Sequence, residues 1–129
     1  LRKEKVMKAI LINPFDESVS EVDYNGDYKE IYNLTDCDTF DVVSLDDTND
    51  IYVDDEGLLK KPTRYFRIYN YTINQLVTLA GKGLILGHND EGESIATTLD
   101  VNEYAKTIQF LPEGYEQDPV IEFVARNWS

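Results

Sequence analysis

The sequence predicts an α+β domain, a small mixed or antiparallel sheet built from hairpins with two or three short helices. Three observations carry that prediction. Short apolar or alternating segments recur between Asn, Asp, Gly and Pro turn signals. Two stretches carry helix-start chemistry, Asp27 with Glu30 and Asp100 with Glu103. The strand and helix signals interleave without the regular spacing of a doubly wound sheet.

In chain order, Val6–Asn13 is a strand stopped by Asn13-Pro14. Ser18–Tyr24 alternates imperfectly, as in a hairpin strand with one exposed face, and Asn25-Gly26 turns the chain. Asp27–Leu34 reads as a helix that Asp27 caps, with Tyr28, Ile31 and Tyr32 on one face. Phe40–Leu45 and Ile51–Val53 form a second hairpin around an Asp46–Asp50 turn, and Gly57 is expected in the left-handed conformation at its end. Leu58–Thr63 is a connecting loop and Arg64–Tyr69 a strand. Thr72–Ala80 places Ile73, Leu76, Val77 and Ala80 on one helical face, with Thr72 as cap and Gly81 as stop, but the run is short enough to be a strand. Gly83–His88 is a buried strand and Asn89–Glu93 a turn. A helix from Asp100 to about Phe110, stapled by Leu99, precedes Pro112, and a last short element is expected around Val120–Val124.

The chain has 129 residues, 42% of them hydrophobic. That is enough for one core without disulfide or metal. Residues 7–129 are expected to form a single domain, and residues 1–6 to be an upstream extension or a remnant of processing. The lone Cys37 excludes an internal disulfide and points to a reducing, cytoplasmic home. No apolar run is long enough to span a bilayer as a helix, and no signal-like apolar region follows the basic Arg2–Val6 segment.

The formal net charge is −13, and its distribution is uneven. Ala9 to Leu59 holds 15 acids against Lys29 alone, a local −14, whereas Lys60 to Ser129 carries only −2. Such a field opposes nucleic acid and anionic membranes and attracts basic surfaces.

No catalytic or metal constellation stands out. One histidine and one cysteine cannot build a Cys/His zinc site within a chain. Asp46, Thr48 and Asp50 have part of a calcium-loop spacing, but Ile51 stands where that loop needs glycine. Cys37 lies between Asp36 and Asp38, whose charges disfavour a thiolate, so it reads as a structural residue. His88, beside Asn89-Asp90, reads as a hydrogen-bonded turn histidine. Gly81-Lys82-Gly83 lacks the Ser or Thr of a phosphate loop, Leu84 standing in that place. Lys60, Lys61, Arg64 and Arg67 among Tyr65, Phe66, Tyr69 and Tyr71 have the composition of a single-strand platform, which the net charge opposes. No cofactor is expected.

MKAILINP, Tyr28–Leu34, FDVVSLDD, IYVDDEGLLKK and LAGKGLILGHNDEGES together resemble a family of small proteins known as a domain of unknown function, met mainly in phages, plasmids and other mobile elements. The resemblance covers about Met7 to Phe110 and rests on turns and buried strands. It implies no catalytic residues, and it implies an accessory gene of a mobile element.

Charge and resemblance together predict a non-enzymatic accessory protein that binds a host or element-encoded partner. Its acidic half could act as a nucleic-acid mimic. Asp36, Asp38, Asp41, Asp46, Asp47, Asp50, Asp54, Asp55 and Glu56 are the candidate contact residues, expected to form a dense anionic edge on two strands and their turns. Neutralising Asp46, Asp47, Asp54 and Asp55 is expected to leave the fold intact. The alternatives are an oligomeric assembly module and a small ligand-binding protein or enzyme using a pocket near His88.

Overall fold

The computed structural model describes residues 6–60 and 63–115. The last element expected, around Val120–Val124, lies outside the described residues. Strands β1 (Met7–Asn13), β2 (Ser18–Tyr24), β3 (Phe40–Ser44), β4 (Asn49–Asp54) and β7 (Gly83–His88) form an antiparallel sheet A in the order β2-β1-β7-β4-β3. The short β8 (Ser94–Ile95) also pairs with β7. Strands β5 (Tyr65–Asn70), β6 (Gln75–Ala80) and β9 (Gln109–Phe110) form a second antiparallel sheet B in the order β6-β5-β9. Two α-helices, α1 (Tyr28–Thr35) and α2 (Val101–Ala105), and a 3₁₀ turn at Gly57–Leu59 complete it. The α+β expectation holds, with two antiparallel sheets where one was expected.

Three layers result. The helix α1 carries the chain from one edge of sheet A, β2, to the other, β3, and covers one face with Ile31 and Leu34. Below them lie Ala9, Tyr24, Leu84 and Leu86. The opposite face of sheet A packs on sheet B and α2. Ile10, Ile85, Ile51 and Val43 are register partners across four strands and meet Phe66, Ile68 and Tyr104. β7 is buried on both faces, which explains its continuous apolar sequence GLILG. The Tyr104 phenol sits in this core, reaching the Tyr69 carbonyl at 3.4 Å.

The helix starts were legible. Asp27 accepts the Lys29 N–H at 3.0 Å, and Asp100 accepts the Glu103 N–H at 3.0 Å. Glu30 reaches back, as a capping box requires, but takes the N–H of Asn25 instead of that of Asp27.

Four expectations need correction. Thr72–Ala80 is not a helix: Asn74, at φ 54°, closes a turn, and β6 runs back along β5 from Gln75. The supposed helical face fails because Ile73 and Leu76 are 52% and 57% exposed. Period two was masked because both faces of β6 are apolar, Val77 and Leu79 packing on the main core and Leu76 and Ala80 on the other face, where Ala80 is buried with Tyr65 and Leu111. The helix expected to reach Phe110 ends at Ala105, since Ile108 and Phe110 join the core and Phe110 pairs with Phe66. Asn49 and Asp50 belong to β4, so the turn before it is shorter than expected. Gly57 does not adopt positive φ; it is needed for close approach, since a Cβ there would lie 3.0 Å from the Ala80 carbonyl oxygen.

Burial pushes the Tyr104 phenol well above the ordinary tyrosine range, with the fields of Tyr71 and Asp46 adding to it. The unfolded chain therefore releases this proton near pH 10 while the folded protein keeps it. The stability this burial contributes is fully present below pH ~10 and is lost above it. The check is an alkaline titration followed by tyrosinate absorbance and near-ultraviolet dichroism. Tyr104 is expected to ionise only as near-ultraviolet dichroism is lost. Complete reversible titration of every tyrosine with the fold intact would contradict its burial.

Candidate partner-binding surface

The nine candidate acids do not form one edge. The β3–β4 hairpin separates them into two groups at its opposite ends, with Asp41 between them on the edge strand β3. One end holds Asp36 and Asp38, which link α1 to β3, Asp54, which ends β4, and Asp55 and Glu56, which follow it. The backbone ties these two segments together: the Asp55 N–H donates to the Thr39 carbonyl at 3.3 Å, and the Thr39 hydroxyl donates to the Asp55 carboxylate. The other end holds Asp46, Asp47 and Asp50.

Several of these acids are occupied by the fold. Asp46 is the hub of the β3–β4 turn: its Oδ1 accepts the N–H groups of Thr48 and Asn49 at 2.8 and 2.7 Å and the Asn49 side-chain amide at 3.1 Å. Asn49 is fully buried and carries that network onward, its Oδ1 accepting the Thr97 hydroxyl at 2.6 Å and the Thr98 N–H at 3.2 Å. Asp50 Oδ2 lies 2.7 Å from His88 Nδ1. The Asp54 side chain is 7% exposed, pairs with Lys60 and accepts the Glu56 N–H at 2.9 Å. The hydrogen bond that the Lys60 ammonium donates to Asp54 is the main cause raising the Lys60 pKa. Asp36 pairs with Lys82. Neutralising Asp46 and Asp54 would therefore disturb the fold, contrary to expectation. Asp38, Asp41, Asp47, Asp55 and Glu56 are exposed, and no cation lies within ion-pair distance of them among the described residues.

Charge also divides by layer. β5, β6 and β9 contain Arg67 and no acid. Sheet A and its connections carry the negative field: Glu21 and Asp23 stand on its outer strand β2, Asp41 on its outer strand β3. Composition along the chain revealed the imbalance; the layer it belongs to depends on the strand order.

A cleft of about 310 Å³ opens where β1, α1 and β4 end and β7 begins. Asn13, Thr35, Gly57 and Gly81 line it with both lysine–aspartate pairs, so its charges are balanced internally. A second, shallower depression lies over Tyr32, Asp36, Cys37 and Asp38. Both are at the opposite end of the β3–β4 hairpin from His88. His88 is held on two sides, by Asp50 and by its N–H donating to the Thr48 carbonyl at 2.8 Å. Cys37 is buried, 3.0 Å from the Thr35 hydroxyl. Burial, more than the neighbouring Asp54 and Asp38, raises its thiol pKa, which lowers the fraction present as the nucleophilic thiolate. Among the described residues no three His, Cys, Asp or Glu side chains gather as metal ligands would, and no helix is long and apolar enough to cross a membrane.

Fold and surface together define a layered α+β domain with one acidic sheet and one nearly uncharged sheet. A family model described as domain of unknown function (DUF3846) matches residues 7–109, and the chain belongs to that family. No curated protein and no solved structure matches the chain.

Proposed function

We propose that this domain is a non-enzymatic binding protein that docks a basic surface of a partner protein with the acidic end of its β3–β4 hairpin. The observation that carries the reading is the gathering of Asp38, Asp55 and Glu56 around the Thr39–Asp55 bonds, with Asp41 beside them on the edge strand and, among the described residues, Lys82 and Lys60 engaged by Asp36 and Asp54. Carboxylates left uncompensated in this way attract a complementary surface and speed encounter with it. The family resemblance supports an accessory role in a mobile element, and a partner whose basic surface normally holds nucleic acid is the form of this reading that the charge favours.

The test combines Asp38→Asn, Asp41→Asn, Asp55→Asn and Glu56→Gln, which leave Asp46 and Asp54 in place. Tagged wild-type protein is expected to retain a partner from host lysate at low salt and to release it as salt rises. The quadruple variant is expected to retain at least tenfold less, with a melting temperature equal to or slightly above wild type as self-repulsion falls. Undiminished capture by the variant would overturn the reading. Competition by duplex DNA would identify the partner surface as a nucleic-acid groove; its failure would remove the mimicry form.

A further inference from the structure

Among the described residues the outer edge of β6 is unpaired, and it has none of the charges that the outer strands of sheet A carry. β2 and β3, the outer strands of sheet A, bear Glu21, Asp23 and Asp41, and charge on an edge strand opposes pairing with another chain. β6 has no charge and no proline, and the whole stretch from Asn70 to Gly81 is uncharged. Tyr71, Ile73 and Leu76, in and beside its turn, are each at least half exposed. Among the described residues no backbone hydrogen bond reaches this edge.

We propose that β6 pairs antiparallel with β6 of a second copy about a two-fold axis through Val77, joining two three-stranded sheets into one of six strands. Self-complementarity selects the occupant, since the two open positions, Leu76 and Thr78, pair with each other across a two-fold axis, and charge sets where the copies meet. Two copies that each carry −13 repel through sheet A, and the β6 edge is where they meet without bringing acids together.

Hydrogen-bond geometry selects the register. The Gly81 N–H donates to the Arg64 carbonyl at 2.9 Å, so odd-numbered residues of β6 point their backbone groups at β5. Leu76, Thr78 and Ala80 then point theirs outward. The Ala80 carbonyl faces Gly57, at 3.0 Å from where a Cβ on that glycine would stand, which closes that end of the edge. Leu76 and Thr78 remain open. Directly opposed residues must share a face of the joined sheet. Only pairing of Leu76 with Thr78 of the second copy satisfies both conditions, and it places Val77 opposite Val77 as a non-hydrogen-bonded pair.

Such a pair has Cα atoms about 4.5 Å apart, within the reach of a disulfide. The wild-type chain is expected to run by light scattering at twice its 14.8 kDa mass at tens of micromolar. Val77→Cys is expected to cross-link nearly completely on mild oxidation, while Thr78→Cys, two positions out of register with itself, and the wild type with its buried Cys37 do not. Leu76→Lys is expected to yield a monomer with an unchanged circular dichroism spectrum. A wild-type monomer across that concentration range would overturn the proposal. So would a dimer that survives Leu76→Lys, or one in which Val77→Cys cross-links no better than Thr78→Cys.

Discussion

Asn49→Ala is expected to lower stability by about 3 kcal/mol, because the buried Thr97 hydroxyl and two part-buried bonds lose their partner at once. The Thr97 hydroxyl, the Thr98 N–H and the Asp46 carboxylate all lean on this one side chain, which has no solvent contact. A small cavity adds to the loss. The melting temperature is expected to fall by roughly 10 °C. Thr98→Ala removes the acceptor for the Asn49 amide at 2.8 Å and a long 3.4 Å bond with the Thr48 hydroxyl, on an exposed residue, and is expected to cost roughly a third as much. Chemical denaturation of the three proteins measures both differences. If Asn49→Ala unfolds within about 0.5 kcal/mol of wild type, the network does not hold the β3–β4 turn to the Thr97–Thr98 segment, and water serves its groups equally well.

Gly87→Ala is expected to cost about as much, roughly 3 kcal/mol, by overpacking instead of by lost hydrogen bonds. A Cβ at this position would stand 2.6 Å from the Ala96 carbonyl oxygen and 3.1 Å from Ile95 Cγ1. The obstructing atom is backbone, so β8 must move, and with it the Thr97 N–H that donates to the Lys8 carbonyl at 2.9 Å. Gly83→Ala is the informative comparison. Its Cβ would meet the Ile51 Cδ1 methyl at 2.7 Å, the far end of a side chain that can rotate, and the expected loss is about half as large. Hydrogen exchange at Ile95 and Thr97 is expected to accelerate in Gly87→Ala and to stay near wild type in Gly83→Ala. Equal effects in the two variants would mean that β8 yields freely and that its contact with β7 contributes little.

Local chemistry was largely readable in the sequence, and three-dimensional adjacency was not. Asp27 and Asp100 cap their helices, and β1, β2, β5 and β7 stand within a residue of where alternation and apolar runs put them. β6 and the end of α2 were missed because tertiary packing overrides short periodic patterns: β5 offers a ladder on both its edges, one to Gln75–Ala80 and one to Gln109–Phe110. The acids were legible as a charge excess, but which of them are engaged depends on residues distant in the chain. Lys82 reaches Asp36, and His88 reaches Asp50, 38 positions away. The role of Asn49 had one available signal, an Asn inside an Asp-rich turn, yet its burial is set by Thr97 and Thr98, which no local pattern relates to it.

The position of β7 bears on how the chain is made. β1–β2 and β3–β4 emerge from the ribosome first, and the strand that joins them is Gly83–His88. Until it is synthesised, each hairpin exposes the strand edge with which β7 will later pair, and pairing over such sequence distances is slow. The same segment, Ala9 to Leu59, holds nearly all the surplus acid. Mutual repulsion between nascent chains would keep these unfinished hairpins from joining one another while they wait for their central strand. By that repulsion the acidity of the first half would act before folding is complete, as a protection during translation, independently of any partner the finished protein meets.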